Sequence, residues 1–349
     1  MNEETATMLE AQGFSRCQER VEATKYRFGF TADLHLSSAT PSSRKDDFPE
    51  TMLGKLHQLR DFAGEYSLDA FIFGGDIWHK SSVPAYYVNQ IMNTLHTFPC
   101  PLFTNLGNHD ILFNRIDTLP RTPLGTLIAG RSLGWLGRID VWGGDQHFLS
   151  IQSYDFEHGF VPRSDYPDRS VYPLSIALIH CFLGEDKSFT GTQKDYVTHE
   201  ELLNSGFNWI FAGHDHVEEM KDQVFPDTGE VYHTLSPGSL SRGTKHMYNR
   251  VRDVCFYVVD CDFSRPINPI DQRIKVTRHP LEVEPAEDIY NEQKIAREDV
   301  SAKIAEFVNA LRQSSSEKTS VYKTLREICP AGPHRAVCEH YLEAAGIVE

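Results

Sequence analysis

Apolar and polar positions follow two rhythms along this chain. From Tyr26 onward, short apolar runs end in Gly, Asp, Asn or His, and between them lie longer stretches whose apolar residues recur every three or four positions. The first rhythm is that of a buried strand, the second that of an amphipathic helix. Tyr26–Thr31, Ala70–Phe73 and Pro101–Asn105 read as strands. Pro49–Glu65, with Met52, Leu56, Leu59 and Phe62 on one stripe, and Tyr86–Thr97 read as helices. This β-α-β-α-β order predicts parallel strands joined by right-handed crossovers. Beyond Asp110 the apolar runs crowd together: Arg138–Trp142, Phe148–Tyr154, Ser175–His180, Trp209–Ala212, Val231–Leu235, Val254–Val259 and Ile274–Arg278. They predict a second, mixed or antiparallel sheet packed on the first. Residues 1–24 read as an amphipathic helix broken at Gly13. From Asp288 helical periodicity returns, with stripes at Val300–Leu311, Val321–Ile328 and Val337–Leu342. The predicted organisation is an extension (1–25), an α/β domain (26–285) and a small helical module (286–349).

Composition narrows the classes. The chain has 349 residues, 34 basic and 49 acidic, for a net charge of −15. That argues against loose binding of nucleic acid or anionic membrane through the whole surface, but leaves room for a local basic patch. The longest mostly apolar stretch, Leu174–Leu183, is far short of the ~18 residues a membrane helix needs. The start, Met-Asn-Glu-Glu, shows no secretory signal. Seven cysteines without a CxxC pair read as reduced thiols, so a cytoplasmic protein is expected.

Sixteen histidines change the picture. Metal-ligand side chains follow five of the apolar runs: Asp33-Leu34-His35, Asp76, Asn108-His109-Asp110, His180 and His214-Asp215-His216. In open α/β sheets ligands bind beyond the carboxyl ends of the strands, so these groups are expected at one rim. Asp33 and His35 are two apart, as are His214 and His216, so each pair projects to one side of an extended chain. Cys181 follows His180 directly and should face away. Gly74-Gly75, Gly107 and Gly213 precede the ligand groups and permit sharp turns. Singly, each fragment has an ordinary explanation as a turn, a cap or a core histidine. Gly-Asn-His-Asp and Gly-His-Asp-His are more specific, and the set as a whole more specific still. Carboxylates, imidazoles and one amide oxygen suit manganese, iron or zinc, in number enough for two ions sharing one carboxylate. Two such ions clamp the attacking and leaving oxygens of an in-line displacement and lower the pKa of bound water, which implies hydrolysis of a phosphate ester.

These blocks resemble the calcineurin-like metallophosphoesterase superfamily, whose pattern is Asp-x-His, Gly-Asp-x-x-(Asp/His), Gly-Asn-His-(Asp/Glu), a lone His and Gly-His-x-His. The resemblance implies a four-layer α/β-β/α sandwich. It implies a first metal held by Asp33, His35, Asp76 and His216, and a second held by Asp76, Asn108, His180 and His214. It makes His109 a general acid or transition-state stabiliser, with Asp110 orienting it. A narrower resemblance is to the nuclease subunit of SbcCD-type double-strand-break repair complexes, including phage relatives. Gly75-Asp76-Ile77-Trp78-His79, the charged segment Arg44–Phe48, Ser236–Arg242 and the strand Ile274–Pro280 carry it. Here Leu36-Ser37-Ser38 stand where that branch has an early Gly, and the loop Val217–Tyr232 is longer.

The narrower resemblance implies a manganese-dependent DNA exo/endonuclease, with iron, zinc or magnesium as other metals. Its partners would be DNA, an SbcC-like ABC-type ATPase docked on the C-terminal helices, and a second copy of the chain. His79 is a candidate further active-site group. Arg242, Lys245, Arg250 and Arg252 are candidate phosphate contacts, with Arg115, Arg121, Arg131 and Arg138 as a second basic cluster. The alternative is a phosphatase or cyclic-nucleotide phosphodiesterase using the same site. A non-catalytic scaffold would need lost ligands, and none is lost.

Overall fold

Runs rich in Phe, Ile, Val and Leu need both faces covered, and in the computed structural model they pair into one long curled ladder. The described residues are 3–156, 163, 174–184, 196–203, 205–224, 231–243, 250–264, 273–292, 294–295 and 339. Helix α1 (Glu3–Ala11) and strand β1 (Cys17–Glu22) precede the predicted alternation of β2 (Lys25–Thr31), α2 (Phe48–Glu65), β3 (Ala70–Phe73), α3 (Ala85–Leu95) and β4 (Leu102–Thr104). β2, β3 and β4 pair in parallel, Phe28 opposite Ala70 and Phe71 opposite Leu102. A 3-10 turn (Ile116–Arg121) and α4 (Pro123–Ala129) lead to the antiparallel hairpin of β5 (Gly134–Gly143) and β6 (Gln146–Ser153). There follow β7 (Leu174–His180), β8 (Phe182–Gly184), β9 (Tyr196–Thr198), α5 (His199–Leu203), β10 (Trp209–Gly213), β11 (Glu218–Val224), β12 (Val231–Pro237), β13 (Cys255–Asp262) and β14 (Ile274–Pro280).

The ladder runs β11-β12-β10-β7-β6-β5-β4-β3-β2-β13-β14, with β1 added beside β5. The two expected sheets are therefore continuous. β5 gives its first residues to β4 and the rest, from Arg138, to β6. The halves then fold face to face. Phe28, Phe30 and Ile72 from one half share a buried core with Leu149, Ile176, Leu178 and Phe211 from the other. The Phe30 and Phe211 rings lie 4.9 Å apart. Outside, α2 and α3 cover one half through Met52, Leu56, Leu59 and Ile91 against Phe71 and Phe73. Leu202 and Phe207 pack on Ala177, Ile179 and Ile210 of the other. This is the layered α/β sandwich that the sequence predicts.

Two local expectations need correction. Residues 17–22 are a strand rather than helix, because the edge of β5 next to β4 offers unpaired backbone groups and β1 takes them up in parallel. Glu218–Val224, polar enough to read as loop, is a strand paired antiparallel with β12. β11 and β14 end the ladder at opposite sides, yet Glu218 joins them. Its Oε1 accepts from Arg278 Nε (2.6 Å) and the Tyr257 hydroxyl (2.6 Å), and its Oε2 accepts from Arg278 Nη2 (3.0 Å).

The chain divides into two compact units, Met1–Ser42 with Asp46–Asp288, and Ser43–Lys45 with Ile289–Glu349. In the second, Lys45 N–H donates to Ile289 O (2.9 Å) and Asn291 N–H to Ser43 O (2.9 Å). The helical stripes predicted from Val300 to Leu342 lie outside the described residues. Among the described residues no helix is long and apolar enough to cross a membrane.

Candidate metal centre and catalytic cleft

The five predicted strand ends meet at one rim. Asp33 and His35 follow β2, Asp76 follows β3, Asn108 and His109 follow β4, His180 ends β7, and His214 and His216 follow β10. Asp33, His35, Asp76 and His214 have φ of 52°, 46°, 49° and 92°. Left-handed backbone is uncommon without Gly, so such turns persist only where their surroundings hold them. Here cross-strand bonds do so. Asp33 N–H donates to Gly75 O (3.2 Å), His35 N–H to Asp76 O (2.9 Å), and His214 N–H to the Asp33 carboxylate (2.9 and 3.1 Å). Glycine is required at two approaches. A Cβ on Gly107 would stand 2.1 Å from Asp76 Oδ1, and one on Gly213 would stand 2.0 Å from Gly74 O.

The donors form two adjoining groups around Asp76. In the first, Asp33, His35 and His216 bring ligand atoms within 4.8 Å of one another, and so do Asp76, His180 and His214 in the second. His35 Nε2 and His216 Nε2 are 2.9 Å apart, within hydrogen-bond distance of each other. Asp76 Oδ2 lies 3.7 Å from His35 Nε2 and 3.4 Å from His180 Nε2, the position of a carboxylate shared between the groups. His180 Nδ1–H donates to Gly74 O (2.8 Å), which leaves Nε2 as the ligand atom. His180 Nε2, His214 Nε2 and Asn108 Oδ1 are buried without a hydrogen-bond partner. Buried polar atoms are almost always paired, so three orphans at one rim mark a place for a cation.

Protonation agrees. Burial holds the imidazoles of His214 (down to about 3) and His216 (down to about 4) neutral, and His35 well below its usual range, leaving lone pairs free at neutral pH. Burial, reinforced by the Asp76 charge, pushes the Asp33 carboxyl well above the carboxylate range. Burial would raise Asp76 too, but His180, His35 and His109 outweigh it and hold that carboxyl low. Burial opposes charge on His180, but Asp76 raises it to about 9. Asp76 is thus the ionised carboxylate at the rim, and a divalent cation bound beside it would displace the protons that burial and pairing favour on Asp33 and His180, since ligands bind metal deprotonated.

A model of the calcineurin-like phosphoesterase family matches residues 26–218, more than half of the chain. The chain belongs to that family. That family binds two divalent ions, and the two donor groups at the rim are the candidates to hold them here. No curated protein matches. Among solved structures it is similar to a 5'-nucleotidase precursor from Thermus thermophilus (15% identity, TM-score 0.41), covering 83% of this chain and 60% of that one. It is also similar to the NAD nucleotidase of Haemophilus influenzae (13% identity, TM-score 0.39), covering 73% of this chain and 50% of that one. The chain thus spans about half to three fifths of these structures' lengths.

Around this candidate metal centre other predicted residues fall differently. His109 reaches the rim, its ring 4.9 Å from that of His35, and its Nδ1–H donates to His79 O (2.7 Å). Asp110 does not orient it, which corrects the sequence expectation. The buried Asp110 carboxylate instead accepts from Trp78 N–H (3.2 Å) and Gly107 N–H (3.0 Å), tying the β3 and β4 loops together. Burial, then the Asp76 charge, pushes it up to about 7. The His79 ring stacks on His109 at 5.7 Å. With His35, Lys80, His216, Thr40 and Phe48, both line a cleft of about 430 Å³.

The phosphate contacts expected after Pro237-Gly238 need correction as well. Arg242 is 3% exposed and donates to Glu284 O (3.2 Å) and Arg250 O (3.0 Å). Arg252 is 9% exposed and donates to Ser239 O. Both brace the loop under the metal centre, where Ser239 Oγ donates to Asp33 O (2.8 Å). Arg250 is half-buried beside them, and Lys245 lies outside the described residues. Arg115 is paired with Asp117, and Arg138 with Asp140. The sequence reading overlooked Lys80, a cation on the cleft wall that its place beside His79 could have suggested. It also overlooked Phe182, whose ring packs 4.1 Å from that of His214 and which nothing in the sequence singles out.

Proposed function

We propose that the chain hydrolyses phosphodiesters, as a manganese-dependent nuclease of the SbcCD repair type acting on nucleic-acid strands. The observation that carries the hydrolysis is the set of inward donors, with His180 Nε2, His214 Nε2 and Asn108 Oδ1 unpartnered beside the shared Asp76. Asp33, His35, Asp76 and His216 would hold one ion and Asp76, Asn108, His180 and His214 the other. When bound, the ions supply a water nucleophile at neutral pH and neutralise phosphate charge. The mixed oxygen and imidazole set suits manganese. His109, fixed through the His79 carbonyl, lines the cleft, where its ring would act as general acid toward the leaving oxygen. The His79 side chain on the cleft wall, from the block that resembles the nuclease branch, supports the nuclease reading.

A second reading has its own support. The cleft volume of about 430 Å³ lies in the range of small-ligand sites, and Arg242 and Arg252 are buried. Both favour a substrate that presents one nucleotide-sized group: a strand end, or a small phosphate ester cleaved by a phosphatase or cyclic-nucleotide phosphodiesterase. Purified protein with manganese would be assayed on linear duplex and single-stranded DNA, bis(p-nitrophenyl) phosphate and p-nitrophenyl phosphate. Cleavage of DNA and the diester supports the nuclease. Turnover of the monoester alone replaces it with the phosphatase. The nuclease reading also brings an SbcC-like ATPase and a second copy of the chain as partners, the latter testable by light scattering.

A further inference from the structure

We propose that Lys80 is the specificity cation of the cleft: it pairs with a phosphate flanking the scissile one, so that a chain of phosphodiesters is preferred to an isolated ester. The proposal deepens the nuclease reading above and rests on it.

Lys80 is exposed and lines the cleft together with His79, His109 and the His35 and His216 imidazoles of the first donor group. Among the described residues that line the cleft it is the only Lys or Arg, and no Asp or Glu accompanies it. Among the described residues it makes no hydrogen bond or ion pair. Its place on the wall is nonetheless fixed by the backbone. Leu36 N–H donates to Ile77 O (2.9 Å) and His79 N–H donates to Leu36 O (2.9 Å), a parallel bridge that stitches the loop after β2 to the loop after β3. His79 O also accepts from His109 Nδ1–H (2.7 Å). The residue before Lys80 is thus tied on two sides to the rim that carries the metal donors. The other loop is closed by its own bonds, Ser37 Oγ–H to Ala39 O (3.0 Å) and Phe48 N–H to Thr40 Oγ1 (3.2 Å), and gives the cleft neutral groups. A lone unpaired cation held on such a wall is a seat for an anionic part of the substrate.

Two observations assign that anion to a flanking phosphate. The scissile phosphate already has its partners, the two ions and His109, so a substrate with one phosphate has no further charge to offer Lys80. Lys80 also stands at an edge. Ser81, next in the chain, lines a second cavity of about 360 Å³ with Ser82, Asn89 and Arg121. Consecutive Cα atoms are ~3.8 Å apart, so the cleft and this cavity adjoin at Lys80. A guanidinium and hydroxyls take phosphate oxygens well. A strand that leaves the cleft past Lys80 therefore runs toward further phosphate donors. Other basic residues are committed elsewhere: backbone carbonyls hold Arg242 and Arg252, and Asp117 holds Arg115. In a chain of net charge −15, the attraction for a polyanion has to be local, and Lys80 supplies it beside the metal donors.

The test compares wild type with Lys80→Met and Lys80→Arg, all loaded with manganese. The substrates are a dinucleotide with a single phosphodiester and a trinucleotide with two, neither carrying a terminal phosphate. Wild type should prefer the trinucleotide in kcat/KM, chiefly through KM. Lys80→Met should reduce that preference about tenfold, the worth of a hydrogen bond to a charged group, and Lys80→Arg should keep most of it. On the trinucleotide, the slope of log KM against log salt should be shallower by about 0.7 in Lys80→Met, the share of one phosphate contact on a single strand. The side chain is exposed, so Tm should match wild type and a folding defect is read separately. An equal loss on both substrates means that Lys80 meets the scissile phosphate, and no loss on either means that it meets none. Each result overturns the inference, as does a wild type without preference for the trinucleotide. If wild type cleaves neither oligonucleotide, the nuclease reading itself fails, and turnover of p-nitrophenyl phosphate then assigns the phosphatase.

Discussion

At the residue scale, chemistry and conformation converge on the same few positions. Among the described residues, Asp76 is the rim carboxylate that is both held ionised and placed between the two imidazole groups. Asp76→Asn should lower kcat on bis(p-nitrophenyl) phosphate by at least about 10²–10³-fold, with manganese content falling in parallel by elemental analysis. His109→Gln removes a proton donor but no proposed ligand. Activity should fall about 10²–10⁴-fold while bound manganese stays unchanged. Gly213→Ala tests the close approach, because the added methyl meets a backbone carbonyl that cannot turn aside. It should destabilise the protein by about 1–3 kcal/mol or more in urea unfolding and weaken metal uptake. These positions were legible in the sequence because each pairs a ligand type with a turn residue after an apolar run. Asp110 shows where that reading stops. Its type and place beside His109 suggested an orienting carboxylate, but the backbone amides of Trp78 and Gly107 are nearer partners.

At the element scale, apolar runs and helical stripes located most strands and the helices that cover them. The polar edges escaped notice, since β1 and β11 hold their places through backbone pairing rather than a buried face. Glu218 makes one of those edges useful, linking β11 to β13 and β14. Burial pushes its carboxyl upward, but hydrogen bonds from Arg278 and Tyr257 prevail and hold it below the usual value of 4.5. The stability it contributes is therefore fully present above that pH and lost as pH falls below it. Arg278 is partly exposed, so the link is worth at most about 1 kcal/mol. Glu218→Gln should lower Tm slightly at neutral pH, and the difference from wild type should vanish in a thermal melt taken well below the usual carboxylate range.

At the scale of the whole molecule, the metal centre gathers the ends of strands from both halves of the ladder. Ions bound there favour the folded chain by mass action, by about 2.7 kcal/mol at a hundredfold excess over Kd. Stripping with EDTA should lower Tm, and manganese should restore it in wild type but not in Asp76→Asn. The sequence by itself determined the ligand types, their order, their position after strands and hence the family, because local turn chemistry and side-chain periodicity are written in consecutive residues. Only the tertiary structure decided that two sheets are one ladder bent at β5 and that Asp110 braces loops. It alone placed Arg242 and Arg252 beneath the site, where carbonyls 8 to 42 residues away occupy their guanidinium groups. Burial and long-range hydrogen bonds depend on which distant segments meet, and charge counted along the chain does not record that.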